Sequence, residues 1–315
     1  MISEKKVVAL GGGHGLAATL AGLRNFTSSI TAIVTVADNG GSSGRLREEF
    51  SIMPPGDLRM ALAALCSDDE WGRSWAEILQ YRFTSDGALD GHPVGNLLLA
   101  ALWDRDEDTV AGLDRVGELL KVVGRVLPMA SEPLDIEATF EDSQGLRNVR
   151  GQVEVATALG RLKTLRIIPE NPEARNESLQ AISQADWITM GPGSWFSSVL
   201  PHLLVPAQRN SIITSKAKKI LLLNLDMADR SAGEYAGYSP LEHLKILHHY
   251  APDLRFDLVV IDASAPGQKE LEMHLSTIGS EFLAADVRSS ASSLHHDAKK
   301  LGHLFAHIEK EILVG

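Results

Sequence analysis

Two kinds of apolar stretch alternate along the chain. Short uninterrupted runs occur at Val7-Val8-Ala9-Leu10, Ile30 to Val36, Asp186 to Met190, Lys219 to Leu225 and Asp257 to Ile261. Runs of this kind predict strands buried on both faces, as in a parallel sheet. Helical patterns lie between them: from Leu16 onward, Met60 to Cys66, Ser74 to Tyr81, Leu97 to Trp103, Thr109 to Leu120, Ser197 to Leu204 and Leu241 to Tyr250. In the third of these, Trp75, Ile78 and Leu79 have core-like spacing. The alternation predicts an α/β fold with a mostly parallel sheet flanked by helices. From Gly124 to about Pro169 the pattern changes. Arg125 to Met129, Leu134 to Phe140, Val149 to Val155 and Leu162 to Ile168 are short, partly alternating and separated by turn residues. They predict antiparallel strands, some with one face in solvent. With no long linker to mark a boundary, this stretch is expected to be a β-rich insertion, about 124–169, inside one domain spanning 1–315. Its charges, Glu137 and Glu154 among them, read as a solvated face.

Chemistry collects where predicted strands end. The first run breaks into Gly11-Gly12-Gly13-His14-Gly15, a tight turn that brings backbone close to a ligand and leaves helix N–H groups for an anion. Its spacing is neither that of the dinucleotide fingerprint nor that of a phosphate loop. The second run ends in Asp38-Asn39-Gly40-Gly41-Ser42-Ser43-Gly44-Arg45-Leu46-Arg47. An acid here sits where open α/β sheets bind ligands. The glycines and serines can form an anion nest, with Arg45 and Arg47 supplying charge; the alternative is a solvated loop before an arginine-bearing helix. In Pro54-Pro55-Gly56-Asp57-Leu58-Arg59, the prolines and the acid read as a helix start, Asp57 as a cap or dipole partner, and Arg59 as the functional candidate. Gly91-His92-Pro93-Val94-Gly95-Asn96 offers His92 and Asn96, which face a cleft or serve the core. Gly191-Pro192-Gly193-Ser194-Trp195-Phe196 is a second glycine turn, with Ser194 placed to cap a helix and offer its hydroxyl to an anion. It lacks the Gly-x-Ser-x-Gly of a hydrolase elbow. Two such turns are what a crevice at a topological switch point requires. The segment from Asp226 through Tyr238, with Gly233 and Gly237, reads as a cap over that crevice. In the tail, the adjacent His295 and His296 cannot share one ion on a helix, so no zinc site is expected, and Asp297 reads as an N-cap.

Composition narrows the class. The chain has 315 residues, 44% hydrophobic and 23% charged, with a formal net charge of −11. That charge argues against a general nucleic-acid or membrane surface. The single cysteine, Cys66, sits in apolar sequence and fits a buried thiol in a reducing cytoplasm. Lys5-Lys6 precedes only a short apolar run, so no signal peptide is expected, and no stretch of about 18 apolar residues predicts a spanning helix.

Taken in order, G-G-G-H-G-L, V-T-V-A-D-N-G-G-S-S-G-R-L-R, P-P-G-D-L-R-M, G-H-P-V-G-N, G-P-G-S-W-F and the late H-D resemble the YvcK family of gluconeogenesis factors. The form with His14 and Met60 resembles its actinobacterial branch. The family is related to 2-phospho-L-lactate transferase (CofD), and the resemblance implies a Rossmann-like core. It also implies binding of UDP-sugars such as UDP-N-acetylglucosamine, and a role linking carbon supply to cell-wall synthesis and cell shape. Carried over by position, it implies a binding role for Gly12, Gly13, His14, Asp38, Asn39, Gly41, Ser42, Ser43, Arg45, Arg59, His92, Asn96, Gly191, Gly193, Ser194, His296 and Asp297. Where the family has two consecutive acids, this chain has Asp38-Asn39. In the transferases that pair is associated with metal, so the loss weakens Mg²⁺-dependent transfer here. The other departure is Asp226 to Gly237, which lacks the family's Pro-Gly-Glu-Thr.

Two hypotheses follow. One is a non-catalytic nucleotide-sugar sensor, needing no cofactor, in which backbone N–H groups and Arg45 or Arg59 hold the diphosphate and His92 or Asn96 orients the sugar. Envelope or metabolic proteins would read its bound state. The other is a transferase in which Asp38 holds Mg²⁺; a nicotinamide dehydrogenase is a distant third. The expected partners are a nucleotide ligand and such proteins, with no nucleic acid and no membrane insertion. The resemblance makes a homodimer reasonable.

Overall fold

The computed structural model describes residues 2–225, 238–290, 293 and 295–313. From the N-terminus, β1 (Val7–Gly11) turns into α1 (Gly13–Leu23), and β2 (Ile30–Val34) leads to α2 (Gly41–Phe50). Four helices follow, α3 (Pro55–Leu65), α4 (Glu70–Gln80), α5 (Val94–Asp106) and α6 (Thr109–Leu120), before β3 (Arg125–Pro128). Next come β4 (Asp135–Asp142), β5 (Gly145–Arg150), the short α7 (Gln152–Thr157) and β6 (Arg161–Ile168). The parallel rhythm resumes with α8 (Asn176–Gln184), β7 (Trp187–Met190), a π-helical turn at Trp195–Val199, α9 (Pro201–Leu204), α10 (Pro206–Thr214) and β8 (Lys218–Leu222). It continues through α11 (Pro240–Tyr250), β9 (Leu258–Asp262), α12 (Gln268–Ile278), β10 (Glu281–Ala285) and α13 (Ala298–His307).

The apolar runs form one seven-stranded sheet in the order β10-β9-β8-β7-β1-β2-β3. Every pair in it is parallel. The central β1 and the β9 strand are buried at every residue, because helices cover both faces, so polar alternation has no role there. The chain builds outward from β1 through β2 to β3, then crosses to β7 and builds outward the other way. Strand order therefore reverses between β1 and β7, and the loops after them meet at the carboxyl edge, where open α/β sheets bind ligands. Helix starts follow local chemistry. Asp108 accepts the N–H groups of Val110 and Ala111 to cap α6, and Pro55 opens α3 where a missing N–H costs nothing. On the sheet, Trp187 stacks on Phe26 at 5.1 Å between ring centroids, and Phe305 of α13 lies 6.1 Å beyond.

Several expectations are revised. The β-rich stretch expected over 124–169 divides. Arg125–Pro128 joins the parallel sheet beside β2, and only β4, β5 and β6 form a separate antiparallel sheet, in the order β5-β4-β6. The strand expected at Val149 to Val155 covers the end of β5 and then the start of α7. The apolar run Asp257 to Ile261 is the last one read from sequence, and a further strand, β10, pairs outside β9. Ile78 is exposed, and only Leu79 of the α4 trio is fully buried. Of the cap expected from Asp226 through Tyr238, all but Tyr238 lies outside the described residues. Among the described residues no helix is long and apolar enough to cross a membrane.

Candidate functional site

The two glycine turns meet at the switch point. Gly191 N–H donates to the Leu10 carbonyl at 3.2 Å, and Thr19 Oγ1 donates to the Gly191 carbonyl at 3.2 Å. Asn224, after β8, locks the second turn: its Oδ1 accepts Gly193 N–H at 2.8 Å and its Nδ2 donates to the Gly193 carbonyl at 2.7 Å. Ser194 caps the π-helical turn by accepting Ser197 N–H at 3.2 Å. Behind the first turn, the fully buried His202 lies with Nε2 at 3.2 Å from the Gly11 carbonyl, while Gln208 Nε2 sits 2.8 Å from its Nδ1. Burial pushes His202 down to about 4, so it is a neutral spacer and not a base.

The acid of the second motif has a partner that sequence spacing hides. Asp57, in the first turn of α3, is buried in the same corner as Asp38, and Gly12 and Gly56 provide the room. A Cβ on Gly12 would lie 2.6 Å from Asp57 Oδ2, and one on Gly56 would lie 2.7 Å from Asp38 Oδ2. Asp57 accepts the N–H of Gly13, so the turn expected to offer that N–H to an anion already spends it on a carboxylate. Burial and then the charge of Asp38 push the Asp57 carboxyl up to about 7, against the pull of Gly13 N–H and Arg59. Its Oδ2 is buried with no partner among the described residues. Asp57, expected to cap α3 or to serve its dipole, makes no cap hydrogen bond there; it lies in the first turn and its bond goes to Gly13 instead. The clue available in sequence was its place two residues before Arg59, in a motif of its own after the Asp38 loop.

Beside the acids, Ser42, Arg59, His92 and Asn96 come together from α2, α3, the loop before α5 and α5 itself, each less than a tenth exposed. Arg59 Nε donates to Asn96 Oδ1 at 2.9 Å, Asn96 Nδ2 donates to Ser42 Oγ at 3.0 Å, and Ser42 Oγ lies 2.7 Å from His92 Nδ1. Arg59 Nη1 is buried without a partner among the described residues. Burial, then neighbouring Arg82, lowers Arg59 to about 10, so it keeps its charge at neutral pH. Ser43 Oγ accepts Gly56 N–H at 3.0 Å, tying the start of α2 to that of α3.

Other expected residues point elsewhere. Arg45 donates to the carbonyls of Ala88 at 3.2 Å and Asp90 at 2.6 Å, pinning the loop over His92. Arg47 binds the Leu134 carbonyl and Asp135 at the root of β4. Asn39 Oδ1 accepts the N–H groups of Gln152 at 2.9 Å and Val153 at 3.3 Å, and its Nδ2 donates to Glu154 at 3.1 Å. It caps α7 across the fold, so the residue read as a lost ligand is taken up by the start of α7, and Glu154 has a partner. Asn39, Gly41, Arg45, Arg47 and Asp135 line an open groove of about 460 Å³ on the outer side of α2. His14 is exposed on the first turn of α1. On the far side of the crevice, His296 hydrogen-bonds the backbone of Leu223 and burial pushes it down to about 4, while Asp297 accepts the N–H groups of Lys299 and Lys300 as the cap of α13.

The Mg²⁺ that the transferase resemblance implies can be tested against these groups. Two carboxylates in one corner, one with an orphaned buried oxygen, fit a hard divalent cation. Among the described residues there is no group of three or more His, Cys, Asp or Glu that could hold a metal. The remaining ligands would be phosphate oxygens and water, the usual way Mg²⁺ is held.

A mostly parallel seven-stranded sheet flanked by helices, with an acid pair and two glycine turns at its switch point, places the chain in the Rossmann-like class of α/β proteins. Residues 7–303 match the family model described as 2-phospho-L-lactate transferase CofD. The chain is 48% identical over 301 residues to the "Putative gluconeogenesis factor" of Mycobacterium tuberculosis (strain CDC 1551 / Oshkosh), covering 93% of this chain and 87% of that one. It is 39% identical over 260 residues to the "Gluconeogenesis factor" of Halalkalibacterium halodurans, covering 82% and 78%. A crystal structure of a UPF0052 family protein from Bacillus halodurans superposes with a TM-score of 0.82 at 31% identity, covering 97% of this chain and all of that one. The chain belongs to the CofD-like family of gluconeogenesis factors.

Proposed function

We propose that the chain is a regulatory protein that binds a nucleotide sugar of the UDP-N-acetylglucosamine kind and couples carbon supply during gluconeogenic growth to cell-wall synthesis and cell shape. The observation that carries the ligand class is the buried guanidinium of Arg59, whose Nη1 is without a partner among the described residues, beside the corner where the glycine turns meet. A buried cation with an unspent donor calls for an anionic oxygen, and a diphosphate supplies several. The sugar would extend toward His92 and Asn96 or into the groove beside Gly41. The names of the relatives support the metabolic half of this reading, and the net charge of −11 supports a partner other than nucleic acid.

A second reading, Mg²⁺-dependent transfer of a phosphorus-containing group, is favoured by Asp57 lying against Asp38. The single acid of the Asp38-Asn39 pair no longer argues against it, because the second carboxylate comes from another segment. There Mg²⁺, when bound, would neutralise charge on the phosphates, and Asp38 and Asp57 would hold it while Arg59 oriented them. Isothermal titration with UDP-N-acetylglucosamine, UDP-glucose, GDP and NAD, each with and without Mg²⁺, separates the two. Micromolar, Mg²⁺-indifferent binding of a UDP-sugar with no product after overnight incubation is the result expected of a regulator. Tight, Mg²⁺-dependent GDP binding would replace it with the transferase.

A further inference from the structure

The four buried groups beside the acid pair leave no freedom in the direction of their hydrogen bonds. Arginine has no acceptor, so the Asn96 atom 2.9 Å from Arg59 Nε must be the carbonyl oxygen. The amide nitrogen of Asn96 then faces Ser42 and donates to its Oγ at 3.0 Å. Ser42 is left with one proton, and its remaining neighbour is His92 Nδ1 at 2.7 Å. Spending that proton anywhere else would bury a hydroxyl donor unpaired in a site where all four residues are less than a tenth exposed. His92 Nδ1 therefore accepts, and the ring hydrogen resides on Nε2, which has no partner among the described residues.

We propose that Arg59, Asn96 and Ser42 are positioning residues that hold His92 in its Nε2–H tautomer, so that the ring presents an N–H donor to an oxygen of a bound nucleotide diphosphate. The ligand half rests on the function proposed above; the tautomer does not. Polar residues at both ends of a fixed chain set which ring nitrogen is protonated, as they do for metal-binding and catalytic histidines. Burial, with Arg45 and Arg82 nearby, lowers the basicity of His92 and keeps the ring uncharged.

The test is ring ¹⁵N–¹H correlation spectroscopy on the full chain labelled at histidine, with the His92 signals assigned by their loss in His92→Gln. Wild type should show the Nε2–H pattern. Asn96→Asp keeps the acceptor for Arg59 but removes the donor to Ser42, whose hydroxyl then turns to the new carboxylate. His92 should switch to Nδ1–H. Ser42→Ala should give a mixture of tautomers, and serves if Asn96→Asp does not fold. An Nδ1–H pattern in wild type, or no change in either variant, would overturn the relay. In parallel, Asn96→Asp should weaken UDP-N-acetylglucosamine binding at least about fivefold. If the tautomers behave as expected and wild type does not bind the UDP-sugar, the relay stands and the ligand class is wrong.

Discussion

Asp57, from the first turn of α3, is buried against Asp38, from the loop after β2, and repulsion within this pair adds to burial in holding the Asp57 carboxyl at about 7. The folded chain thus binds this proton more tightly than the unfolded chain, where the ordinary value is 3.8. Stability from the protonated carboxyl is fully present below about pH 4 and is lost as pH rises towards 7. Asp57→Asn retains an acceptor for Gly13 N–H and removes the charge. Scanning calorimetry in EDTA should show it melting several degrees above wild type at pH 8 and at the same temperature near pH 4. A variant less stable at both pH values would mean that Asp57 is held by its contacts alone.

The same pair predicts a metal effect. At pH 8, Mg²⁺ should raise the melting temperature of wild type by relieving carboxylate repulsion, and should leave Asp57→Asn nearly unmoved. Equal shifts in the two would place the ion elsewhere.

Asn39→Ala removes the acceptor for two N–H groups of α7 and should cost about 1 kcal/mol. Hydrogen exchange should quicken over 152–157 first. Asn39→Asp keeps the cap but sets a carboxylate against Glu154, so its loss of stability at pH 7 should be restored by Glu154→Gln. If exchange rises instead around Gly12 and Gly13, the cap acts on the crevice and not on the insertion.

For the ligand, Arg59→Ala should weaken UDP-sugar binding by about tenfold or more, the scale of one charge-assisted hydrogen bond. Arg45→Ala should weaken it less and chiefly loosen the loop 83–92, because Arg45 holds the carbonyls of Ala88 and Asp90. Titration calorimetry on both variants decides. Unchanged affinity in both would remove the phosphate assignment altogether.

Gly15→Ala tests the meeting of the turns. An added Cβ would sit 2.2 Å from the Pro192 carbonyl oxygen, backbone that cannot move aside. A loss on the order of 3 kcal/mol is expected in denaturant unfolding, with ligand binding lost as well. A fully stable variant would show that the two turns can separate.

The parallel sheet was legible because continuous apolar runs ending in glycine, Asp or Asn have few other uses in a chain of this length. The α6 boundaries, Thr109 to Leu120, matched because Asp108 and the spacing carry the signal locally. The glycine turns and the caps Ser194 and Asp297 were legible for the same reason: each is settled within three or four residues. Tertiary structure alone decided what long side chains reach. Arg45 and Arg47 look like phosphate ligands in a row, yet carbonyls and a carboxylate from distant segments claim them. Asn39 reads as a missing acid until α7 arrives to be capped. Arg125–Pro128 looks like its antiparallel neighbours, and only the free edge of β2 made it a parallel strand. Above all, the acid pair is invisible in sequence, since burial and charge couple Asp38 and Asp57 only after α3 docks beside the β2 loop. Backbone conformation is largely a short-range matter, whereas pKa, pairing and ligand geometry depend on what the rest of the chain packs around each group.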